Sequence, residues 1–356
     1  MQTKKLNMFT NFNLPKRIFF VLIIGGLISM YVTTSCEQKQ LSRINAFEYN
    51  KLIGRGVNMG NALEAPVEGS WGVFIDDEYF KIIKARGFDS VRIPIRWSAH
   101  ISEGDYTIDR HFMDRVVHVV NKALENNLVT IINTHHFEEL YQDPDKYGPV
   151  LVKIWEQISE RFKDYSDRLF FEIFNEPAQK LTPEKWNELY PKVLEVIRKT
   201  NPKRIVIIDL PNWAHYSAVK EIKLPKDENI IISFHYYEPF NFTHQGAEWV
   251  TPQLPVGVKW EGKDWEIEQI RNHFKYVSEW AKKNNVPIFL GEFGAYSKAD
   301  MDSRVKWTET VRKIAEEFSF STAYWEFCAG FGIYDRMSGN WIEPLATAAL
   351  GKMANK

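Results

Sequence analysis

Cysteine is almost missing from this chain: Cys36 and Cys328 are the only two in 356 residues. An N-terminal cut that lipidates or removes Cys36 leaves no pair for an intrachain disulfide, so a cross-linked scaffold is excluded. Excess charge is missing as well. Lys plus Arg number 45 against 46 Asp plus Glu, a net charge of -1, with no basic stripe. That removes the electrostatic footprint of a nucleic-acid partner and suits a neutral ligand. Long apolar runs are scarce: the marked one, Ile18 to Val32, is short for a bilayer span. Finally, no glycine-rich phosphate turn follows the first strand-like run, because "GRGVNMGN" lacks the spacing.

The N-terminal run does carry a signal. Lys4, Lys5, Lys16 and Arg17 precede it, and "TTSCEQ" follows it. A positive stretch, a short apolar stretch and a cysteine after small residues read as a bacterial lipoprotein signal over residues 1–36, with Cys36 lipidated. Thr33 stands where leucine is usual, so a plain secretory peptide and an uncleaved anchor are the alternatives. Residues 37–47 then form a polar tether and 48–356 a single folded domain. The expected location is outside the cytoplasm, anchored through lipid at the periplasm or cell surface, with no other membrane contact.

Past residue 50, strand-like and helix-like segments alternate. Apolar β-type runs occupy 55–63, 89–97, 128–136, 169–177, 204–210, 229–239, 286–294 and 321–330. Between them lie amphipathic stretches such as "HFMDRVVHVVNKALENN", and "LTPEKWNELY" is a capped helix start with Pro183 just inside it. Eight such units predict an α/β fold, a (β/α)8 TIM barrel; an open doubly wound sheet is the alternative. In a barrel, chemistry gathers at the C-terminal ends of the strands. There the runs carry, at or just past their ends, Asn61, Glu64, Arg92, Trp97, His135, His136, Asn175, Glu176, Trp213, His235, Tyr237, Glu292, Trp325 and Glu326.

Glu176 and Glu292 close the fourth and seventh runs, which lie on opposite sides of an eight-stranded barrel. Two facing carboxylates suit glycoside hydrolysis, in which one protonates the leaving oxygen and the other attacks or activates water. Two other classes remain to be weighed. His135, His136 and His235 with a carboxylate could form a zinc site, but adjacent strand residues point to opposite faces and no early His-x-His occurs. An inactive sugar-binding lipoprotein would lack one of the two glutamates. Trp155, Trp186, Trp280 and Trp307 fall in helical segments and read as core. Trp71, Trp213, Trp249 and Trp260 fall in loops that could face a ligand. The long loop after the sixth run, with His244, Gln245 and Trp249, is expected to wall the cleft. Cys328 reads as a buried, inert thiol.

"GNALEAP", "VRIPIRW", "NTHH", "FEIFNEP", "HYY", "IFLGEFG" and "YWEFC" together resemble, in order and spacing, the signature of family 5 glycoside hydrolases over residues 45 to 350. "GNALEAPVEGSWGV", "FTHQGAEWV" and "YWEFCAGFG" carry a narrower likeness to endoglucanases of thermophiles that also accept mannan. The resemblance implies a retaining endo-β-1,4-glucanase with no cofactor or metal, acting as a monomer on a β-1,4-linked polysaccharide. An endo-β-1,4-mannanase or a dual enzyme is the alternative within the class. It implies Glu176 as acid/base, Glu292 as nucleophile, and Asn175 on the sugar 2-hydroxyl. Arg92 and Tyr237 would hold the nucleophile, His235 would contact the acid/base or the sugar, and His135 and His136 would line subsites. Trp325 would be a stacking platform. Asn61, Glu64 and Glu326 resemble the dual-acting group, and Glu326 is expected to bond a sugar hydroxyl.

Overall fold

The computed structural model describes residues 45–351. Eight parallel strands close into a barrel in chain order: β1 (Arg55–Asn58), β2 (Ser90–Ile93), β3 (Val129–Asn133), β4 (Leu169–Glu172), β5 (Val206–Asp209), β6 (Ile230–Tyr236), β7 (Ile288–Phe293) and β8 (Ser321–Tyr324). Each lies inside the run expected for it. Closure is made by β8 on β1, with Gly56 opposite Ala323. The strands stop short because the polar tails of the runs leave the sheet and turn into the loops of one rim. The doubly wound alternative is excluded by this closure.

Strand alternation sorts the side chains. Outward residues such as Val57, Val91, Ile132, Phe171, Ile208, Phe234 and Leu290 join the core shared with the helices. Inward residues near the strand starts are apolar: Val129, Ile131, Phe170, Ile207, Ile231 and Phe289 form a separate cluster. The helix Ala46–Ile53 plugs that end, with Tyr49 edge-on to Phe170 and Asn50 bonded to Ile288 O and Ser321 Oγ. Further along the same inward rows the chain places Asn58, Arg92, Asn133, Glu172, Asp209, Ser233 and His235, all buried. The floor is dry and the mouth is polar.

Long helices follow most strands, among them Arg110–Glu125, Pro144–Arg161, Asp264–Asn284 and Met301–Glu317. The expected start at "LTPEKW" is present: Thr182 caps Pro183–Thr200 by accepting from the Lys185 N–H. After β5 the chain instead makes short turns, Pro211–Ala214 and Tyr216–Lys220. Trp155, Trp186 and Trp307 are fully buried, and Trp280 packs partly buried against the same core. Trp260 departs from expectation. It is 2% exposed because its loop folds back, its N–H donating to Ser303 Oγ at 3.1 Å.

The signal 1–36 and Cys36 lie outside the described residues. So does most of the tether, except that its last residues, Ala46 and Phe47, already belong to the first helix. No helix among the described residues is long and apolar enough to cross a membrane.

Candidate active site

Arg92 is the hub of the mouth. All five of its donors are used: Nε and Nη2 clamp Glu172 at 2.7 and 2.6 Å, and Nη1 reaches Asn58 Oδ1 at 2.8 Å and Glu292 Oε1 at 2.7 Å. Nη2 also holds Asn175 Oδ1 at 2.7 Å. A guanidinium offers five N–H groups in a fixed fork, so none is left over. The fork is buried completely. Burial pushes the Glu172 carboxyl up, but Arg92 and the Asn133 amide together outweigh it and hold Glu172 below the usual carboxylate range. Burying such a charge is tolerable because it is paired and fully bonded.

The second oxygen of Glu292 accepts from the Tyr237 hydroxyl at 2.8 Å. Glu292 therefore has a donor on each oxygen. Burial raises its proton affinity above that of an ordinary carboxyl, while His235 and Arg92 act against the rise. Glu176 stands opposite, beyond the end of β4, with its backbone in the left-handed region at φ 52°. Its Oε1 meets Nδ1 of His235 at 2.7 Å. Burial lifts its pKa to about 7, and the charge of Glu172 adds to the rise while Arg92 opposes it. His235 is itself pushed down to about 4 by burial, so it is neutral at neutral pH.

Ligating atoms of Glu176, His235 and Glu292 all lie within 4.8 Å of one another. Among the described residues, this is the group of acidic, histidine or cysteine side chains that converges. His135 and His136 are outside it, so the zinc arrangement read from three histidines does not form. His135 bonds Asn133 and stacks parallel to Trp325, with ring centroids 5.9 Å apart. The strand-alternation argument that separated His135 from His136 is corrected. Both face the cleft, because β3 ends at Asn133 and His136 turns at φ 49°.

The cleft has a volume of about 1240 Å³. Glu176, Glu292, His235 and Tyr237 form its floor. Asn61, Glu64, His135, His136 and Trp325 line one part of it, and His244 and Trp249 line another. Trp71 stands edge-on to His136 at 5.6 Å, while Trp213 packs on Tyr141. Trp71, Trp213 and Trp249 all keep large exposed areas on the cleft. Gly60 lets Trp325 come close, since a Cβ there would sit 2.9 Å from Glu326 Oε2 and 3.1 Å from the Trp325 ring.

Two expected residues stand behind the surface. Arg92 supports from below and holds Asn175 through Oδ1. Glu326, expected on a sugar, is fully buried, with Oε1 accepting from the Phe331 N–H at 3.1 Å. Gln245 also faces inward, where its amide staples the loop through Phe242 O, Val258 O and the Gly257 N–H. Cys328 is buried as expected, at the edge of the cleft. Sequence reading missed Glu172, Asn58, Asn133 and Asp209 beneath the site. It also missed Tyr296, Phe331 and Arg336 on its wall. The first four carried a signal: each is a polar residue at an inward position of an otherwise apolar run. A separate depression of about 760 Å³ between outer helices, near Met113 and Val196, contains none of these groups.

Carboxylate oxygens within 4.8 Å of each other leave no room for the water an inverting enzyme needs between its two carboxyls. Fold and site together define a retaining glycoside hydrolase. The chain belongs to the cellulase family, glycosyl hydrolase family 5, whose model matches residues 54–330. It is similar to a solved hyperthermophilic endo-β-1,4-glucanase in complex with substrate, at 80% identity and TM-score 0.86, covering 86% of this chain and 100% of that one. It is 49% identical to Thermotoga maritima Cel5A, solved with cellobiose and with mannotriose, at TM-score 0.84 over 86% of this chain and 100% of that one. Endoglucanase H of Acetivibrio thermocellus is 41% identical over 288 residues, 80% of this chain. This chain spans 30% of that protein's length.

Proposed function

We propose that the enzyme is a retaining endo-β-1,4-glucanase in which Glu176 is the acid/base and Glu292 the nucleophile. Glu292 attacks the anomeric carbon as the glycosidic C–O bond breaks. The bonding pair leaves on the departing oxygen, which takes the proton of Glu176. Glu176, now a carboxylate, removes a proton from water, and that water displaces Glu292 from the anomeric carbon. Two inversions leave the β configuration in place. The observation that carries this reading is the close pair itself, in unlike surroundings. Glu176 sits with a neutral imidazole and a pKa of about 7, whereas Glu292 has a guanidinium and a phenol donating to its two oxygens. One is suited to hold a proton near neutrality and the other to lose it.

An open cleft with exposed Trp71, Trp213 and Trp249 supports internal cleavage of a long chain. Breadth toward mannan is supported by two observations. Thermotoga maritima Cel5A has been solved with both cellobiose and mannotriose, and Asn61, Glu64, His135 and His136 line the cleft as polar groups that can pair with either orientation of the 2-hydroxyl and so discriminate weakly. Initial rates on mixed-linkage glucan and on linear mannan test it with one preparation. Glucan is expected to be faster and mannan slower but measurable; activity on mannan alone would make the enzyme a mannanase. Export and a lipid anchor on Cys36 rest on the N-terminal sequence. Cys36→Ser is expected to move the protein from the membrane fraction to the soluble fraction with catalysis unchanged.

A further inference from the structure

Asp209 ends β5 directly beneath the acid/base and has no assigned part in the reaction. It is completely buried, and no Lys or Arg pairs with it. Its Oδ2 accepts the backbone N–H of Glu176 at 3.1 Å. That bond secures a residue whose φ of 52° is unusual for a side chain with a Cβ. Neighbouring backbone bonds fix the rest of the turn: Asn175 N–H to Thr134 O at 2.9 Å, and Trp213 N–H to Pro177 O at 3.2 Å. Only the Asp209 bond falls on Glu176 itself.

The other side of the carboxyl faces His235. Oδ2 of Asp209 lies 3.7 Å from Nε2, while the opposite ring nitrogen touches Glu176. Nε2 of His235 and Oδ1 of Asp209 are both buried without a hydrogen-bond partner. The oxygen nearest Nε2 is Oδ2, so a proton on Oδ2 would give the orphaned imidazole nitrogen a donor. Oδ1 is left to the neighbouring Ser233 hydroxyl, which is itself buried without a partner. Burial and the charge of Glu172 push Asp209 well above the ordinary carboxyl range, with Arg92 opposing, so the acid form is favoured. The 3.7 Å separation is longer than a hydrogen bond. Catalytic hydrogen bonds of this kind commonly tighten once substrate is bound.

We infer that Asp209 is a positioning residue for Glu176, holding its backbone turn through Oδ2 and presenting a carboxylic acid proton to Nε2 of His235. The tautomer of His235 follows from this. With Nε2 accepting, the ring hydrogen is on Nδ1 and donates to Oε1 of Glu176. Oε2 is then the oxygen that carries the transferred proton toward the glycosidic oxygen. The inference rests on Glu176 being the acid.

The test is a series of aryl β-cellobiosides with leaving groups from dinitrophenyl to unsubstituted phenyl, assayed alongside mixed-linkage glucan. Asp209→Leu is expected to lose roughly 10²-fold in kcat/KM on glucan and phenyl cellobioside, since misplaced proton donors cost about that much. On dinitrophenyl cellobioside, which needs little proton help, the loss should be about threefold or less. In Asp209→Asn the atom that replaces Oδ2 can accept the Glu176 N–H or donate to Nε2 but not both, so the phenyl substrate should be recovered only in part, to about tenfold above Asp209→Leu. Equal losses on good and poor leaving groups in folded Asp209→Leu would overturn the inference, as would an Asp209→Asn no better than Asp209→Leu. If Asp209→Leu does not fold, Asp209→Asn decides alone: equal losses on phenyl and dinitrophenyl cellobioside would overturn the inference. Glu176→Gln in the same series separates the two readings. If it shows no leaving-group dependence, the acid assignment fails first.

Discussion

Nη1 of Arg92 donates to Oε1 of Glu292 at 2.7 Å across a sequence separation of 200 residues. The opposite edge of the same guanidinium grips Glu172 through two bonds. The position of Glu292 thus depends on a glutamate that never meets the cleft. Glu172→Ala should leave Arg92 half-paired in a dry barrel, costing about 3–5 kcal/mol of stability. Turnover should fall as well, because the fork can swing away from Glu292. Urea denaturation and glucan hydrolysis measure the two effects; a stable, fully active variant would remove Glu172 from the account.

Glu176 predicts the alkaline side of the pH profile. With a pKa near 7, it loses its proton as pH rises through that value, and kcat/KM on glucan should fall there. Glu292 must be ionised to attack, and burial raises its pKa, so the acid limb should lie above the ordinary carboxyl range. A narrow bell is expected. In Glu176→Gln, assayed on dinitrophenyl cellobioside, the alkaline limb should vanish while the acid limb persists.

Glu326 and Glu64 make a prediction about stability. Both are buried, and burial raises them to about 8 and about 7 from 4.5. A group whose folded pKa is raised binds more protons in the folded state. Its stabilising effect is complete below 4.5 and is lost as pH climbs to the folded value. Each can contribute up to about 1.4 kcal/mol of loss per pH unit within its window. Glu326→Gln should therefore match wild type near pH 4.5 and exceed it at pH 8. Thermal melts at the two values check the sign.

Much of this was legible in the amino-acid order. Eight apolar runs, each closing on polar residues, gave the barrel and put Glu176 and Glu292 on one rim. Arg92 and Tyr237 were readable as companions of Glu292 through the family likeness. What stayed hidden was depth. Glu326 was read at the end of the eighth run and Trp260 in a loop facing a ligand, yet Glu326 is fully buried and Trp260 folds back, its backbone N–H donating to Ser303. Glu172 and Asp209 were passed over because one polar residue in a strand looks like a surface position until closure turns that face inward. Backbone sign was equally hidden: positive φ at His136 and Glu176 decides where both side chains point, and neither residue type announces it.

Dialysis against EDTA should leave the rate on glucan unchanged. Both oxygens of Glu292 are held by Arg92 and Tyr237, and Glu176 is held by His235. Loss of activity restored by zinc would reopen the metal-dependent alternative.

The most direct test removes the nucleophile. Glu292→Gly, given an activated aryl β-cellobioside, should be inactive, because no glycosyl-enzyme can form. Adding azide should restore turnover by filling the space of the lost carboxylate, and proton NMR should then show an α-cellobiosyl azide. That single inversion is what the account predicts when an external anion does the work of Glu292. A rescued product with the β configuration, or an unrescued variant that still hydrolyses glucan, would contradict it.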